Sequence, residues 1–223
     1  MATPKSTRIA IVIIAIMMVV GTIGSFAVII LADENQKIDN DRSNQALAEW
    51  QADQAEYQAK LDAQSHQLSE RYYDKFSQYA DRPAGYNKDD IKELSTSDLQ
   101  AGDGAVVDDE LAFAVYYLGW NSDGKVFDGS IDGESLKSPL SIEDGLIQAS
   151  LIEGWKEGLK GMKIGGVREI SIPSDLAYGE VGSGNDIPPN MPIKFVVLAI
   201  ELPEQIAAPE IPEALMRGAY GGL

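Results

Sequence analysis

Aromatic side chains are the residues of this chain best suited to forming a functional site. Tyr117, Phe127, Trp155 and Phe195 lie on amphipathic segments. Aromatic residues in such segments form either the hydrophobic core or the walls of an apolar binding pocket. An apolar pocket acts by binding and needs no nucleophile. Residue type and spacing alone favour the core for these four residues and leave the pocket as the open alternative.

The ionisable and metal-binding residues do not indicate covalent catalysis or a metal site. The sequence has no cysteine, which excludes disulfides, thiol catalysis and thiolate metal sites. Its single histidine, His66, lies among Gln and Ser residues, so we expect no metal site, no cofactor and no catalytic histidine. The glycine-rich segments 165–166 and 182–184 do not open a helix after a strand, and they predict turns rather than phosphate-binding loops.

The C-terminal half of the chain has the pattern of a sheet with one helix. Residues 111–117 and 167–172 alternate apolar and polar residues nearly with period two, which predicts strands. The Asn-Ser-Asp-Gly sequence at 121–124 predicts a hairpin turn. Residues 151–160 carry apolar residues at helical spacing. This pattern predicts an α+β domain, with a twisted antiparallel β-sheet wrapped on a short α-helix.

Three sequence blocks, in this order, resemble the FKBP-type peptidyl-prolyl cis-trans isomerases. The first reads V-Y-Y-L-G-W-N-S-D-G-K-V-F-D-G-S over residues 115–130. The second, over residues 151–189, contains L-I-E-G-W-K-E-G-L, A-Y-G and I-P-P. The third is the predicted closing strand 193–202, with its phenylalanine. The resemblance implies an FKBP-like fold for residues 98–203 and isomerisation of X-Pro peptide bonds.

The resemblance also implies a pocket for a substrate proline. Trp155 would form the floor, the Tyr178 hydroxyl would bond a substrate carbonyl, and the backbone N–H of Ile152 would hold a second carbonyl. Asp128 corresponds to the family's buried acid beside the pocket. The walls and covering residues would be Tyr117, Phe127, Phe195, Ile152, Leu140, Leu151 and Ile187.

Isomerisation would explain why the sequence carries no triad and no metal motif. Rotation about an X-Pro bond has a barrier of about 18–20 kcal/mol, because amide resonance is lost, yet no covalent bond is made or broken. A dry aromatic pocket favours the twisted amide, which is less polar than the planar one. Departures from the family pattern are Leu140 in place of a phenylalanine, Ser183 in place of a histidine, and Asp186 before Ile187. A carboxylate at position 186 would favour basic over acidic peptides.

An apolar run without charges occupies residues 9–32. As a helix it would be about 36 Å long, enough to cross a hydrocarbon core of about 30 Å. The apolar region of a cleaved signal peptide is shorter, about 7 to 15 residues, and Ile30-Leu31-Ala32 lacks the small residues of a cleavage site. We therefore expect an uncleaved transmembrane anchor, and hence membrane association through residues 9–32.

The charges that flank this run predict its orientation. Lys5 and Arg8 precede it and acidic residues predominate after it, which places residues 1–8 in the cytoplasm and the rest outside. The expected location is a bacterial cell envelope, and the expected activity is isomerisation of exported or unfolded proteins. The formal net charge of −17 argues against nucleic acid as a partner. A non-catalytic chaperone or scaffolding module that binds proline-containing segments is the alternative function.

Three further segments complete the predicted organisation. Residues 33–80 predict a helical stalk, in which Gly and Pro are absent from 43–80 and large residues recur at heptad-like intervals. The stalk could self-associate, lean on the next domain or serve as a solvated spacer, and the pattern does not choose among these. Residues 81–97 predict a linker, and residues 204–223 a flexible tail.

Overall fold

The computed structural model describes the backbone of residues 5–220 and the side chains of residue 37 and residues 40–216. It divides into two compact units, residues 1–58 with 207–223 and residues 59–206. Helix α1 extends over Lys5–Ser77 and includes most of the predicted stalk. The predicted anchor at 9–32 lies outside the residues with described side chains. Among the residues whose side chains are described, no helix is long and apolar enough to span a bilayer.

The sheet of the second unit is antiparallel throughout. The strands are β1 (Ser95–Gln100), β2 (Phe113–Trp120), β3 (Val126–Gly129), β4 (Ile131–Asp132), β5 (Ser135–Leu136), β6 (Leu140–Ile142), β7 (Val167–Ile172) and β8 (Ile193–Glu201). They pair in the order β1-β7-β8-β2-β3, and β6 pairs with residues 113–115 of β2. A small separate hairpin, β4–β5, follows β3. The short helices are α2 (Gly145–Gln148) and α3 (Glu153–Leu159).

The predicted α+β arrangement of an antiparallel sheet with one short helix is confirmed. The hairpin turn forms between β2 and β3, where the Gly124 N–H donates to the Asn121 carbonyl over 3.0 Å. The sheet begins before the predicted boundary at residue 98, because β1 starts at Ser95 and pairs there with Ser171 of β7. The linker is correspondingly shorter, and it contains one 3₁₀ turn, Lys88–Asp90.

Helix α3 lies unusually close to the sheet because two glycines face β7. A Cβ atom at Gly154 would lie 2.2 Å from Cγ2 of Ile172, and one at Gly158 would lie 2.7 Å from Cγ2 of Ile170. Only a residue without a side chain leaves room for this approach. Trp155, the residue after Gly154, is 4% exposed and belongs to the same core cluster as Ile170 and Ile172.

The opposite face of the sheet is covered by the C-terminal end of α1. Phe76 is fully buried there and lies 6.3 Å, between ring centroids, from Tyr116 of β2. Tyr72 lies 6.0 Å from the same ring. Both belong to a second apolar cluster, which is separate from the one beneath α3. Of the alternatives left open for the stalk, leaning on the next domain is therefore confirmed for its C-terminal end.

The same end of α1 also holds the β4–β5 hairpin. The buried Ser69 hydroxyl oxygen accepts a hydrogen bond from the Leu136 N–H over 2.8 Å, and the Tyr73 hydroxyl donates to the Gly133 carbonyl over 3.2 Å. A hydroxyl-to-hydroxyl bond of 3.1 Å joins Ser65 and Ser138. The hairpin lies in the insertion between β3 and β6, so α1 fixes a segment that the sequence pattern left without a predicted structure.

The C-terminal region differs from the predicted flexible tail. Residues 202–212 have no regular secondary structure. Helix α4 follows over Glu213–Tyr220. No helix was predicted there, because the prolines and glycines of this segment dominated the pattern.

We predict that Phe76→Ala lowers the free energy of unfolding of residues 59–206 by about 3–5 kcal/mol, because the change opens a cavity behind Tyr116. Urea unfolding would measure the effect. Arg71→Ala, an exposed change on the same helix, should alter stability by less than about 0.5 kcal/mol. Equal, small effects of both substitutions would mean that α1 does not contribute to the core of this unit.

Candidate functional site

A cavity of about 340 Å³ opens at one end of α3, on the face of the sheet away from α1. Every predicted site residue except Ile187 lines it, and the structure adds Ser150, which the sequence analysis missed. The lining residues are Tyr117, Phe127, Asp128, Leu140, Ser150, Leu151, Ile152, Trp155, Tyr178 and Phe195. Residues from β2, β3, β6, α3, β8 and two loops thus meet at one site.

The floor of the cavity is a cluster of aromatic rings in edge-to-face contact. Phe195 is the shared partner: its ring centroid lies 5.1 Å from that of Trp155 and 5.6 Å from that of Phe127, at interplanar angles of 89° and 86°. Tyr117 contacts Trp155 at 5.3 Å and 83°. Edge-to-face contacts of this kind stabilise ring pairs beyond the burial of their area. The cluster therefore presents ring surfaces in a fixed arrangement.

Gly119 of β2 makes room for this cluster. A Cβ atom there would lie 2.4 Å from Cε1 of Phe195 and 2.8 Å from Cζ of Phe127. Gly119 was not predicted as a site residue, because the predicted strand ended at residue 117 whereas β2 extends to Trp120. A glycine within a strand marks a bulge or a close approach.

Asp128 is fixed beside the cavity by two hydrogen bonds. Its Oδ2 accepts a 2.6 Å bond from the Tyr117 hydroxyl, and its Oδ1 accepts a 2.8 Å bond from the Gly129 N–H. The backbone N–H of Tyr117 donates to the Ser130 hydroxyl oxygen. Burial raises the pKa of Tyr117, and the hydrogen bond to Asp128 adds to the effect. The acid therefore orients a neutral tyrosine in the wall.

Two hydrogen-bond donors at the rim have no protein acceptor among the described residues. One is the Tyr178 hydroxyl, whose pKa is raised by burial and by the charge of Asp128. The other is the backbone N–H of Ile152. Ile152 precedes α3 with an extended backbone, and its carbonyl accepts from the Trp155 N–H over 3.0 Å. The start of the helix thus leaves the N–H of one lining residue without a protein acceptor among the described residues.

The loop before Pro188 differs from the sequence-based expectation. Ile187 is 5% exposed and packs in the core beneath α3 rather than lining the cavity. Asp186 forms an ion pair with Lys125, and its carbonyl accepts from the Asn121 side chain over 2.8 Å. The carboxylate is therefore neutralised by Lys125 and does not line the cavity, so the expected preference for basic peptides cannot be assigned to it.

Metal-ligating side chains do not gather at the cavity. Throughout the part of the chain that the structure describes, no group of three or more His, Cys, Asp or Glu side chains is placed to hold a metal ion. Asp128 is the only acidic residue of the lining, and Tyr117 and Gly129 already bond both of its oxygens.

Comparison with known proteins identifies relatives of this sheet and pocket. The profile of the family described as "FKBP-type peptidyl-prolyl cis-trans isomerase" matches residues 102–200. The "FK506-binding protein" of Neisseria meningitidis serogroup B is 40% identical over 111 residues, which cover 50% of this chain and 97% of the relative. The "Probable FK506-binding protein" of Corynebacterium glutamicum is 38% identical over 98 residues, which cover 43% and 76%.

Solved structures also align with the chain. Among them is a peptidyl-prolyl cis-trans isomerase from Pseudomonas syringae, with 26% identity and a TM-score of 0.42, and the alignment covers 63% of this chain and 94% of the other. The family assignment rests on the sequence relatives. Because 97% of the meningococcal protein aligns with this chain at 40% identity, and the family profile matches residues 102–200, this chain belongs to the FKBP-type peptidyl-prolyl cis-trans isomerases.

Proposed function

We propose that the aromatic cavity binds a proline of an unfolded or exported polypeptide and accelerates rotation about the preceding peptide bond. The observation that carries the proposal is the combination of an apolar aromatic floor with two unpaired donors at its rim. The proline ring lies on Trp155, against Phe127 and Phe195. Tyr178 and the N–H of Ile152 each bind a substrate carbonyl.

The cavity lowers the barrier by binding the twisted amide better than the planar one. Planar amides are polar and well hydrated, and twisting removes the resonance that makes them so. A floor of aromatic rings offers the planar amide little compensation for lost water. The rim donors hold the flanking chain while the bond rotates. Binding energy is therefore expressed mainly in the twisted state, which is the condition for catalysis.

We also propose that residues 9–32 anchor the chain in a membrane with residues 1–8 in the cytoplasm and the isomerase outside, in a bacterial cell envelope. The support is the uncharged run and the charges that flank it. The substrates of an isomerase in this location are proteins that fold after export. The heptad-like spacing of the stalk is compatible with self-association alongside the anchor, and we include self-association in the proposal. A topology reporter fused after Leu223 tests the orientation, and a cytoplasmic signal would overturn it.

We predict that Tyr178→Phe reduces kcat/KM for a short X-Pro peptide about two- to tenfold, the value of one neutral hydrogen bond to substrate. Trp155→Ala should reduce it about 10- to 100-fold, because the floor that positions the proline is removed. The rate of cis-to-trans conversion of the peptide, measured in the presence of the full-length protein, gives kcat/KM for both variants.

Tyr79→Phe is the matched control for Tyr178→Phe, because it also removes one tyrosine hydroxyl. Tyr79 is half-buried on the α1 side of the domain, away from the cavity. Folding of Trp155→Ala is verified by its unfolding transition. Wild-type rates in a folded Trp155→Ala protein would refute the proposed role of the cavity. A protein that binds the peptide without acceleration would favour the non-catalytic chaperone alternative.

Gly119→Ala should impair catalysis without touching any polar group of the site. The new methyl group displaces Phe127 and Phe195, and the expected loss of kcat/KM is about tenfold or more. Gly85→Ala is the control, because a Cβ there meets only ordinary contacts at 3.5 Å. Equal rates for the two variants would mean that the positions of these rings do not matter.

The rate should not depend on pH between about pH 6 and pH 9. A phenol is neutral below its pKa, and burial raises the pKa of Tyr117 and Tyr178 above the ordinary value of about 10. Both hydroxyls therefore keep their protons throughout this range. A pH profile of kcat/KM with a midpoint near pH 7 or 8 would show that a titrating group takes part in the rate-limiting step.

A further inference from the structure

The proline cavity continues into a second groove, which lies between β6, α2 and the loop before α3. This groove has a volume of about 330 Å³ and shares Leu140, Ser150 and Leu151 with the proline cavity. The two cavities are therefore adjacent, and they are called below the two halves of one depression. A polypeptide whose proline occupies the first half has its neighbouring residues at the mouth of the second.

The charge of the groove is uniformly negative. Glu143 and Asp144 are its only ionisable residues, and no Lys, Arg or His lines it. Both residues are exposed, and neither forms an ion pair among the described residues. Glu143 accepts one bond of 2.8 Å from the side-chain amide of Gln205, a neutral donor that leaves the charge in place.

A cation on the segment behind the groove is already paired. The chain at 109–110 passes directly behind Gly145, where a Cβ atom would lie 2.3 Å from the Asp109 carbonyl oxygen. The Asp109 carboxylate pairs with Lys160 at 2.6 Å. Leu140, 39% exposed, supplies an apolar surface at the point where the two halves join.

We infer that this groove is a specificity subsite that binds Lys or Arg residues near the substrate proline. The aliphatic stem of such a side chain packs on Leu140, while its charged end lies near Glu143 and Asp144. Acidic residues at the same place are repelled. The inference rests on the proposed function, because it requires the proline to occupy the neighbouring aromatic cavity.

The test compares three peptides of the form X-X-Ala-Leu-Pro-Phe-Ala-X-X, in which X is Lys, Gln or Glu. Exchange between cis and trans isomers, measured by NMR with the full chain at low salt, gives kcat/KM for each. For the wild type, kcat/KM should be about tenfold higher for the Lys peptide than for the Glu peptide. The difference arises because the Lys peptide forms two exposed charge pairs and is attracted by the net negative charge of the chain. In the double variant Glu143→Gln with Asp144→Asn, this ratio should fall to about two, with the Gln peptide unaffected.

A control variant, Asp132→Asn with Glu134→Gln on the β4–β5 hairpin, removes the same charge from exposed residues outside both halves of the depression. It should keep the wild-type ratio. Equal reduction of the ratio in both double variants would assign the preference to the overall charge and overturn the inference, as would the absence of any preference in the wild type. Direct contact is checked by chemical shift changes of the Gln148 side-chain amide with the Lys peptide.

The Gln peptide separates this inference from the proposed function. Acceleration of the Gln peptide without a preference for Lys would overturn the subsite alone. If no peptide is accelerated and the Gln148 amide does not respond, both proposals fail. A Gln148 response without acceleration supports the subsite as a binding site and refutes catalysis.

Discussion

The close contact between α3 and β7 is the constraint on which the site depends. Gly154 and Gly158 face Ile172 and Ile170, and the absence of side chains at these two positions sets the distance between helix and sheet. That distance determines the height of Trp155 above the sheet, and therefore its edge-to-face contacts with Phe195 and Tyr117. The start of the same helix exposes the N–H of Ile152. One packing contact thus positions both the floor of the pocket and one of its rim donors.

Strand β2 connects this site with the other face of the sheet. Successive residues of a strand point to opposite faces, so Tyr117 lines the pocket while Tyr116 packs against Tyr72 and Phe76 of α1. The end of α1 also bonds the hairpin that follows Asp128. The helix that leads into the domain is therefore part of its core. The pocket wall and the back of the sheet are held by the same strand.

Much of the site was predictable, because its residues fall in short blocks with a family-specific order. Trp155, Tyr117 and Phe127 belong to such blocks and line the cavity. The period-two segment 111–117 indicated the strand that carries Tyr117. Features that depend on long-range contacts were not predictable. The ion pair of Asp186 with Lys125 joins residues 61 positions apart. The heptad-like stripe of the stalk likewise does not indicate which surface of the domain the stalk packs against. Ile187 was placed at the pocket because a loop sequence does not reveal which side chain turns inward.

We expect the distance between α3 and the sheet to control catalysis through the position of Trp155. The most direct test of this expectation is a double-mutant cycle at Gly154 and Ile172, with kcat/KM for an X-Pro peptide as the readout. Gly154→Ala alone should slow isomerisation about 10- to 100-fold, because the new methyl group meets Cγ2 of Ile172 and lifts the helix. Adding Ile172→Ala removes that atom and should restore most of the rate. A wild-type rate for Gly154→Ala in a folded protein, or a double variant as slow as Gly154→Ala alone, would contradict the account.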